Sequence, residues 1–280
     1  MQLYALDEEK KGVLASHAIK GVDYYCPECR SVLHLRGGLY RQDHYYHVEH
    51  NRNCRQSGKG QEHIQTQLYF LNSLPTGECE LERPFPEIGR IADVYWEKER
   101  FVFEVQCAPI SSEEVLARTR DYSSCGLTVV WVFHDARYNK WRPTPAEMAL
   151  AGKLFYYTDI DANGSGEIYD LFALHKVNGD KCKLERLPID IARPGECLEY
   201  DMPKTSSTFI KKRIAHKRYF VGDILDQFIK GDVDGYCARV EELEVAYADA
   251  SQPSWRACIA GHIAVPFRVV GQIILERFCR

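Results

Sequence analysis

The stretch RIADVYWEKERFVFEVQC, residues 90–107, decides the fold of this chain. It contains two short runs rich in β-branched and aromatic residues, separated only by the charged residues Glu-Lys-Glu at 97–99. Runs of this kind with a short polar link predict a β-hairpin. An acid interrupts the apolar sequence of each run, Asp93 in the first and Glu104 in the second.

Regular elements are expected on both sides of the hairpin. The segment EHIQTQLYFLNSL, 62–74, has helical spacing that places four apolar residues on one face: Ile64, Leu68, Leu71 and Leu74. ECELERPF, 78–85, predicts a strand ahead of the hairpin. After the hairpin, Ser111 and Glu114 have the spacing of a capping box, and Gly126 ends the helix that follows.

LTVVWVF, 127–133, predicts a buried strand after that helix. The order strand, strand, strand, helix, strand is typical of an α/β domain with a mixed sheet. We expect three regions: a Cys/His module at 1–57, this α/β domain at 58–180, and a helical C-terminal region at 181–280.

Composition narrows the class of protein. No apolar run approaches the roughly 20 residues that span a bilayer, and the first residues, MQLYALDEEKKG, lack the pattern of a signal peptide. We therefore expect a cytoplasmic protein without a membrane partner, whose 11 cysteines serve as reduced thiols or metal ligands. The net charge of −4 means that any nucleic acid must bind to a local basic surface.

The two acids of the hairpin predict a cation site. Paired strands lie about 5 Å apart, so Asp93 and Glu104 come within joint reach of one Mg²⁺ or Mn²⁺ if both point to the same face. Glu62, at the start of the preceding helix, can add a third carboxylate, with His63 beside it. In the alternative, Asp93 pairs with Arg90 or Arg100 and Glu104 caps a neighbouring group.

The whole stretch from Arg90 to Phe133 resembles the CoiA-like competence family within the PD-(D/E)XK nuclease superfamily. It carries that family's arginine-alanine-aspartate strand, its acid-x-glutamine strand, and a helix with arginine and tyrosine before a strand that contains tryptophan. The resemblance implies a restriction-endonuclease-like core and a metal-dependent DNA nuclease that processes DNA during uptake, transformation or recombination. The alternative is a catalytically inactive module that binds DNA or a recombination or competence protein.

The resemblance also assigns roles to residues. Asp93 and Glu104 would be metal ligands, Glu62 the acid of the first helix, and Gln106 would replace the lysine of most of the wider superfamily. Phosphate contacts would come from a further group of side chains: Arg118, Tyr122, Arg90 and His63. Arg118 and Tyr122 share a helix face, although Arg118 is also spaced to pair with Glu114. Gln67 stands where the family usually has a lysine.

A Cys/His cluster precedes the α/β domain. Cys26 and Cys29 form a CxxC knuckle, and two more ligands would close a tetrahedral structural zinc site. The resemblance favours His44 and His47 for those two places, whereas treble-clef geometry favours His47 with Cys54, and His50 is a further alternative. A redox-active CxxC is less consistent with the turn-rich sequence around it.

Two further patterns bear on binding. The segment 210–219 contains five basic residues in one expected helix, which predicts phosphate contacts with DNA: Lys211, Lys212, Arg213, Lys217 and Arg218. The segment 159–170 matches the spacing of an EF-hand calcium loop. Its flanks are aromatic and β-rich, however, and Asn163-Gly164 between such flanks predicts a hairpin instead.

Overall fold

The computed structural model describes residues 1–38, 41–49, 51, 54, 56, 58–175, 181–197, 207–230 and 238–251. The chain forms two compact units. The first contains Met1–Cys107, Arg118–Val130 and Ile160–Gly166, and the second contains Ala108–Ala117, Trp131–Asp159 and the described residues from Glu167 onward. No helix among the described residues is both long and apolar enough to cross a membrane.

A small antiparallel sheet forms the N-terminal part of the first unit. Its five strands are β1 (Tyr4–Leu6), β2 (Gly12–Leu14), β3 (Tyr24–Tyr25), β4 (Val32–Gly38) and β5 (Arg41–His47), in the order β2-β1-β3-β4-β5. The core beneath it is small and includes two cysteines, with Leu33 and Tyr45 among its larger members. So small an apolar core favours a module that a metal ion helps to hold.

The next elements alternate helices and strands, as the sequence predicts. They are α1 (Gln61–Ser73), β6 (Cys79–Phe85), β7 (Arg90–Trp96), β8 (Phe101–Gln106), α2 (Ser112–Ser124), β9 (Thr128–His134), α3 (Pro145–Ala149), β10 (Phe155–Thr158) and β11 (Ile168–Asp170). The hairpin of β7 and β8 is confirmed, with Trp96 paired to Phe101 across the turn. The Ser111 hydroxyl accepts the Glu114 N–H at the start of α2, and Gly126 follows the helix at φ +70°.

A mixed sheet of seven strands confirms the predicted fold class. After β12 (Ala173–His175) and β13 (Lys181–Lys183), which pair with each other, β14 (Leu187–Pro188) completes the order β14-β11-β10-β9-β8-β7-β6. Strands β6, β7 and β8 are antiparallel, β9 and β10 are parallel, and β11 is antiparallel to β10. Asn163 and Gly164 lie in the β10–β11 hairpin, so the EF-hand alternative is excluded because no helices flank the loop.

The described part of the C-terminal region contains strands as well as helices. The remaining elements are β15 (Asp190–Glu196), α4 (Thr208–Ile214), β16 (Arg218–Val221), α5 (Ile224–Ile229) and α6 (Ala238–Ser251). The sequence predicts one helical stretch through 210–219, but the chain turns after α4, with Lys217 at φ +58°, and pairs β16 with β15. Gly222 at φ +96° then leads into α5; a Cβ there would lie 2.4 Å from the Pro188 carbonyl oxygen.

Candidate functional site

Asp93 lies in β7 with 6% of its surface exposed, and both of its carboxylate oxygens are bonded. Oδ1 lies 2.8 Å from Lys59 Nζ and 3.1 Å from His63 Nε2, and Oδ2 accepts the Val105 N–H at 3.0 Å. Burial alone would raise the pKa of Asp93, but the charges of Lys59 and His63 hold it well below its usual value. Asp93 is therefore an ionised, fixed carboxylate.

The predicted alternative partners of Asp93 are engaged elsewhere. Arg90 pairs with Asp121, with its Nη2 2.7 Å from the carboxylate, and Arg100 donates to the carbonyl oxygens of Cys125 and Gly126. The pairing of Asp93 with Arg90 or Arg100 is thus wrong. Arg90 was also a candidate for phosphate contact, and that role stays a prediction.

Glu82 is a buried carboxylate of β6 that no sequence pattern identifies. Its Oε1 lies 2.9 Å from Lys59 Nζ, and its Oε2 accepts the N–H of Tyr4 in β1 at 3.1 Å. The strand pairs Leu81–Val94 and Arg83–Ala92 flank it, so Glu82 stands opposite Asp93. Its φ of +51° is unusual for a residue other than glycine, and such strain is concentrated at functional sites.

Lys59 is the second unpredicted member of the cluster. Its side chain is 9% exposed and its ammonium bridges Glu82 and Asp93. Burial alone would lower its pKa, but the two carboxylates raise the pKa above the ordinary value, so the ammonium stays charged. Lys59 precedes α1 in the glycine-containing sequence SGKG, which has no periodicity that could indicate burial.

Glu104 in β8 is 1% exposed and only partly compensated. Its Oε2 lies 2.9 Å from Arg118 Nη1, while Oε1 is buried without a hydrogen-bond partner. Burial, and secondarily the charge of Asp93, raise the pKa of Glu104 against the opposing effect of Arg118. The nearby Tyr122 hydroxyl favours the charged carboxylate but is outside hydrogen-bonding geometry.

The hairpin register agrees with the predicted proximity of the two acids. Val94 pairs with Phe103, so Asp93 and Glu104 are the next residues along the two strands. The two carboxylates are therefore close enough to interact, and the charge of Asp93 contributes to the raised pKa of Glu104. Arg118, predicted to contact phosphate or Glu114, forms an ion pair with Glu104.

The other predicted residues lie around this pair. Glu62 is half-buried in the first turn of α1, and Gln106 is partly exposed at the end of β8. Cys107 follows Gln106, and burial, together with the charges of Asp93 and Glu62, raises its pKa to about 12. Gln67 donates to the Asp93 backbone carbonyl at 2.9 Å, while its own Oε1 is buried without a partner.

The Cys/His cluster comprises Cys26, Cys29, His47 and Cys54, whose ligand atoms all lie within 4.8 Å of one another. Cys26 Sγ lies 3.6 Å from Cys54 Sγ, and Cys29 Sγ lies 3.3 Å from His47 Nε2. Four ligands about 2.3 Å from a tetrahedral zinc lie roughly 3.8 Å apart, so the spacing fits this ion. Burial alone would raise the pKa of Cys29, but hydrogen bonds with Ser31 and His47 lower it to about 6.

His44 is not part of this cluster, although the family resemblance favours it. Positions 44 and 47 both lie in β5, and side chains three apart in a strand point to opposite faces. His44 is buried, with its Nδ1 2.8 Å from the Gln42 carbonyl oxygen. The treble-clef alternative of His47 with Cys54 is therefore the arrangement observed, and His50 lies outside the described residues.

Among the described residues, only this Cys/His group brings three or more His, Cys, Asp or Glu ligand atoms close enough to hold one ion. Glu62, Asp93 and Glu104 therefore do not form a complete ligand set by themselves. Mg²⁺ is commonly bound by one or two carboxylates, with water and substrate phosphate filling the other positions. The carboxylate pair is compatible with that mode.

The predicted DNA-binding segment contains one residue that cannot serve. Arg213 is 3% exposed and its guanidinium lies 2.8 Å from Asp170 and 3.0 Å from Asp223, so its assignment to DNA is wrong. The positive charge of Arg213 compensates the buried carboxylates of Asp170 and Asp223 inside the second unit. Lys211 and Lys217 are exposed, and Lys212 and Arg218 are partly exposed.

Comparisons with known proteins identify two matching regions. Residues 59–167 match the profile described as the competence protein CoiA nuclease-like domain. Residues 6–57 match the profile described as the competence protein CoiA N-terminal domain. Searches of curated proteins and of solved structures give no match. The two regions cover the Cys/His cluster and four of the carboxylates described above: Glu62, Glu82, Asp93 and Glu104.

Proposed function

The chain belongs to the competence protein CoiA family, and from that membership we propose that it is a Mg²⁺- or Mn²⁺-dependent nuclease that hydrolyses DNA. The observation that carries the proposal is Glu104 Oε1, a buried carboxylate oxygen without a hydrogen-bond partner beside the ionised Asp93. A buried carboxylate that lacks full compensation is costly, and a divalent cation is a suitable counter-charge.

The residues fit such a cation. Asp93 and Glu104 would supply hard oxygen ligands, and Glu62, in the first turn of α1, would bind the cation directly or through water. When bound, the ion acts as a Lewis acid on the phosphate and makes its bound water more acidic. In hydrolysis, water adds to phosphorus, one P–O ester bond breaks, and the departing oxygen takes up a proton.

The protein side chains position these groups. Arg118 holds Oε2 of Glu104, which leaves Oε1 for the cation, and the Val105 N–H together with His63 fixes Asp93. His63 is also a candidate for phosphate contact, as is Gln106 for orienting water by its neutral amide. Tyr122 is buried beside Glu104, so we assign it to the support of this carboxylate rather than to phosphate.

We further propose a structural zinc ion bound by Cys26, Cys29, His47 and Cys54. Four protein ligands leave no open position for a substrate, so the ion would stabilise the N-terminal sheet. DNA would contact the basic residues Lys211, Lys212, Lys217 and Arg218, now without Arg213. Processing of DNA during uptake, transformation or recombination and contact with competence or recombination proteins stay predictions from the family. A cytoplasmic location stays a prediction from the sequence.

An inactive DNA-binding module is the second candidate. It is favoured by Lys59 and Arg118, which already compensate part of the carboxylate charge without any added cation. The test is incubation of the full chain with linear, circular and single-stranded DNA, with Mn²⁺ or with EDTA. Cleavage that requires Mn²⁺ supports the nuclease, whereas binding of DNA without cleavage under any of these conditions supports the module.

A further inference from the structure

The ammonium of Lys59 lies between two carboxylates on adjacent strands. Lys59 Nζ is 2.8 Å from Asp93 Oδ1 and 2.9 Å from Glu82 Oε1, and all three side chains are buried. A buried lysine between two buried acids loses solvation, and only the combined attraction of both carboxylates offsets that loss. The burial of the Lys59 ammonium therefore depends on both carboxylates, Glu82 and Asp93.

Glu82 is held in place by two independent constraints. Its Oε2 accepts the Tyr4 N–H from the N-terminal sheet, and its backbone adopts the left-handed conformation in the middle of β6. Strain of this kind persists only where the surrounding structure enforces it. The Lys59 ammonium thus donates to the fixed carboxylate of Glu82 and also to Asp93.

The charges of the cluster leave a small excess. The cluster has three carboxylates, Glu82, Asp93 and Glu104, and two permanently basic side chains, Lys59 and Arg118, so the carboxylates outnumber these cations by one. The oxygen without a hydrogen-bond partner belongs to Glu104, whereas the facing oxygens of Glu82 and Asp93 are both occupied by Lys59. The position most open to a metal cation is therefore on the Glu104 side of Asp93.

We propose that Lys59 is a positioning residue whose ammonium, anchored by Glu82, excludes the metal cation from the gap between Glu82 and Asp93 and directs it to Asp93 and Glu104. This inference rests on the proposed nuclease function. Without the ammonium, the facing carboxylates of Glu82 and Asp93 attract a divalent cation more strongly than Glu104, which is paired with Arg118. The cation then binds more tightly at a position that does not support cleavage.

The test compares Mn²⁺ affinity with the cleavage rate at saturating Mn²⁺ in the full chain. For Lys59→Gln we expect Mn²⁺ binding about tenfold tighter and a cleavage rate lower by at least about tenfold, which is about 1.4 kcal/mol in the barrier. A residue with only a structural role would not tighten metal binding while slowing cleavage. Lys59→Arg keeps the charge and should bind Mn²⁺ with wild-type affinity. Lys98→Gln, at an exposed lysine, is the matched control.

The double variant Lys59→Gln/Glu82→Gln removes the cation and one of its two carboxylates together. Because the charge is balanced again, Mn²⁺ affinity should return towards the wild-type value and cleavage should recover relative to Lys59→Gln. If Lys59→Gln does not fold, the double variant alone decides, and it should cleave DNA within about tenfold of the wild-type rate. A double variant that is unfolded, or folded but slower than this, overturns the proposal.

The two proposals fail in different ways. If the wild-type protein does not cleave DNA with Mn²⁺, the nuclease function and the role of Lys59 are both overturned. If the wild type cleaves and Lys59→Gln has the same rate and the same Mn²⁺ affinity, only the role of Lys59 is overturned. If Lys59→Gln binds Mn²⁺ more tightly and cleaves at the wild-type rate, Lys59 merely competes with the cation, and its positioning role is excluded.

Discussion

Replacing Glu104 by glutamine should separate catalysis from stability. The change preserves the size of the side chain and removes its charge. Because burial of Glu104 outweighs the help of Arg118 and raises its pKa, the charged form is disfavoured in the folded protein. We therefore expect the free energy of unfolding to change by less than about 1 kcal/mol, since loss of the ion pair is offset by relief of a buried charge.

Cleavage should respond much more strongly. Glu104 Oε1 is the oxygen we assign to the cation, and a neutral amide oxygen is a weaker ligand for a hard cation. We expect the Mn²⁺-dependent rate to fall at least about a hundredfold, equivalent to about 2.7 kcal/mol in the barrier. Urea unfolding and conversion of supercoiled plasmid under single-turnover conditions measure the two effects.

Two comparisons make this test decisive. Glu97→Gln alters an exposed acid in the turn of the same hairpin and should cleave like the wild type. Arg118→Met leaves the Glu104 charge buried and unpaired, so it should destabilise the protein by about 2 kcal/mol, less than a fully buried pair because Arg118 is partly exposed. A Glu104→Gln protein that cleaves at the wild-type rate would refute the assignment of Glu104 to the cation.

Three further outcomes follow from the geometry. Zinc analysis of the purified protein should find about one zinc ion per chain. His44→Ala should keep this ion and Cys54→Ser should lose it. Zinc that remains in Cys54→Ser would contradict the proposed ligand set. Arg213→Met should lower the free energy of unfolding by about 3 kcal/mol, because Asp170 and Asp223 lose their buried cation, yet leave the salt dependence of DNA binding unchanged. Burial, with a contribution from Asp170, raises the pKa of Asp223 to about 6 against the opposing effect of Arg213. The contribution of Asp223 to the free energy of unfolding is therefore fully present below about pH 4 and is lost as the pH rises through 6. In urea unfolding, Asp223→Asn should become more stable relative to the wild type over that pH interval. A difference between the two proteins that does not change with pH would contradict this.

The order of elements from α1 to β9, and the hairpin at 163–164, are readable from the sequence because local rules decide them. Alternation of apolar residues defines β7 and β8, a hydroxyl followed by an acid three residues later begins α2, and Asn163-Gly164 permits the tight turn between β10 and β11. None of these depends on a distant partner. The strands after residue 181 could not be predicted in this way, because β16 forms only by pairing with β15 across a long separation.

The membership of the Cys/His cluster shows how secondary structure limits motif matching. The family motif places histidines at 44 and 47, and spacing alone allows both to bind one ion. Once that segment is a strand, however, the two side chains face opposite sides, and only His47 joins the cysteines. The parity of a strand is available from the sequence, so a strand prediction for 41–47 could have excluded His44.

The polar cluster around Asp93 was only half predictable, because sequence patterns identify charged residues but not their partners. Lys59 and Glu82 are 23 residues apart, and nothing local distinguishes Glu82 from the partly exposed Glu80 two residues earlier. Both acids fall on the same alternation in β6. Only the pairing of β6 with β7 places Glu82 opposite Asp93, and only burial brings the lysine to them.

Helix α1 shows where a usable signal existed. Apolar spacing selects Ile64, Leu68, Leu71 and Leu74, yet Leu68 and Leu71 are only half-buried, whereas three polar residues are buried with Phe70: His63, Thr66 and Gln67. Polar groups are buried where partners exist, and His63 and Gln67 both bond to Asp93. A helix whose polar residues recur at spacings of three and four, beside a strand with an embedded acid, therefore indicates that the polar face is turned towards that acid.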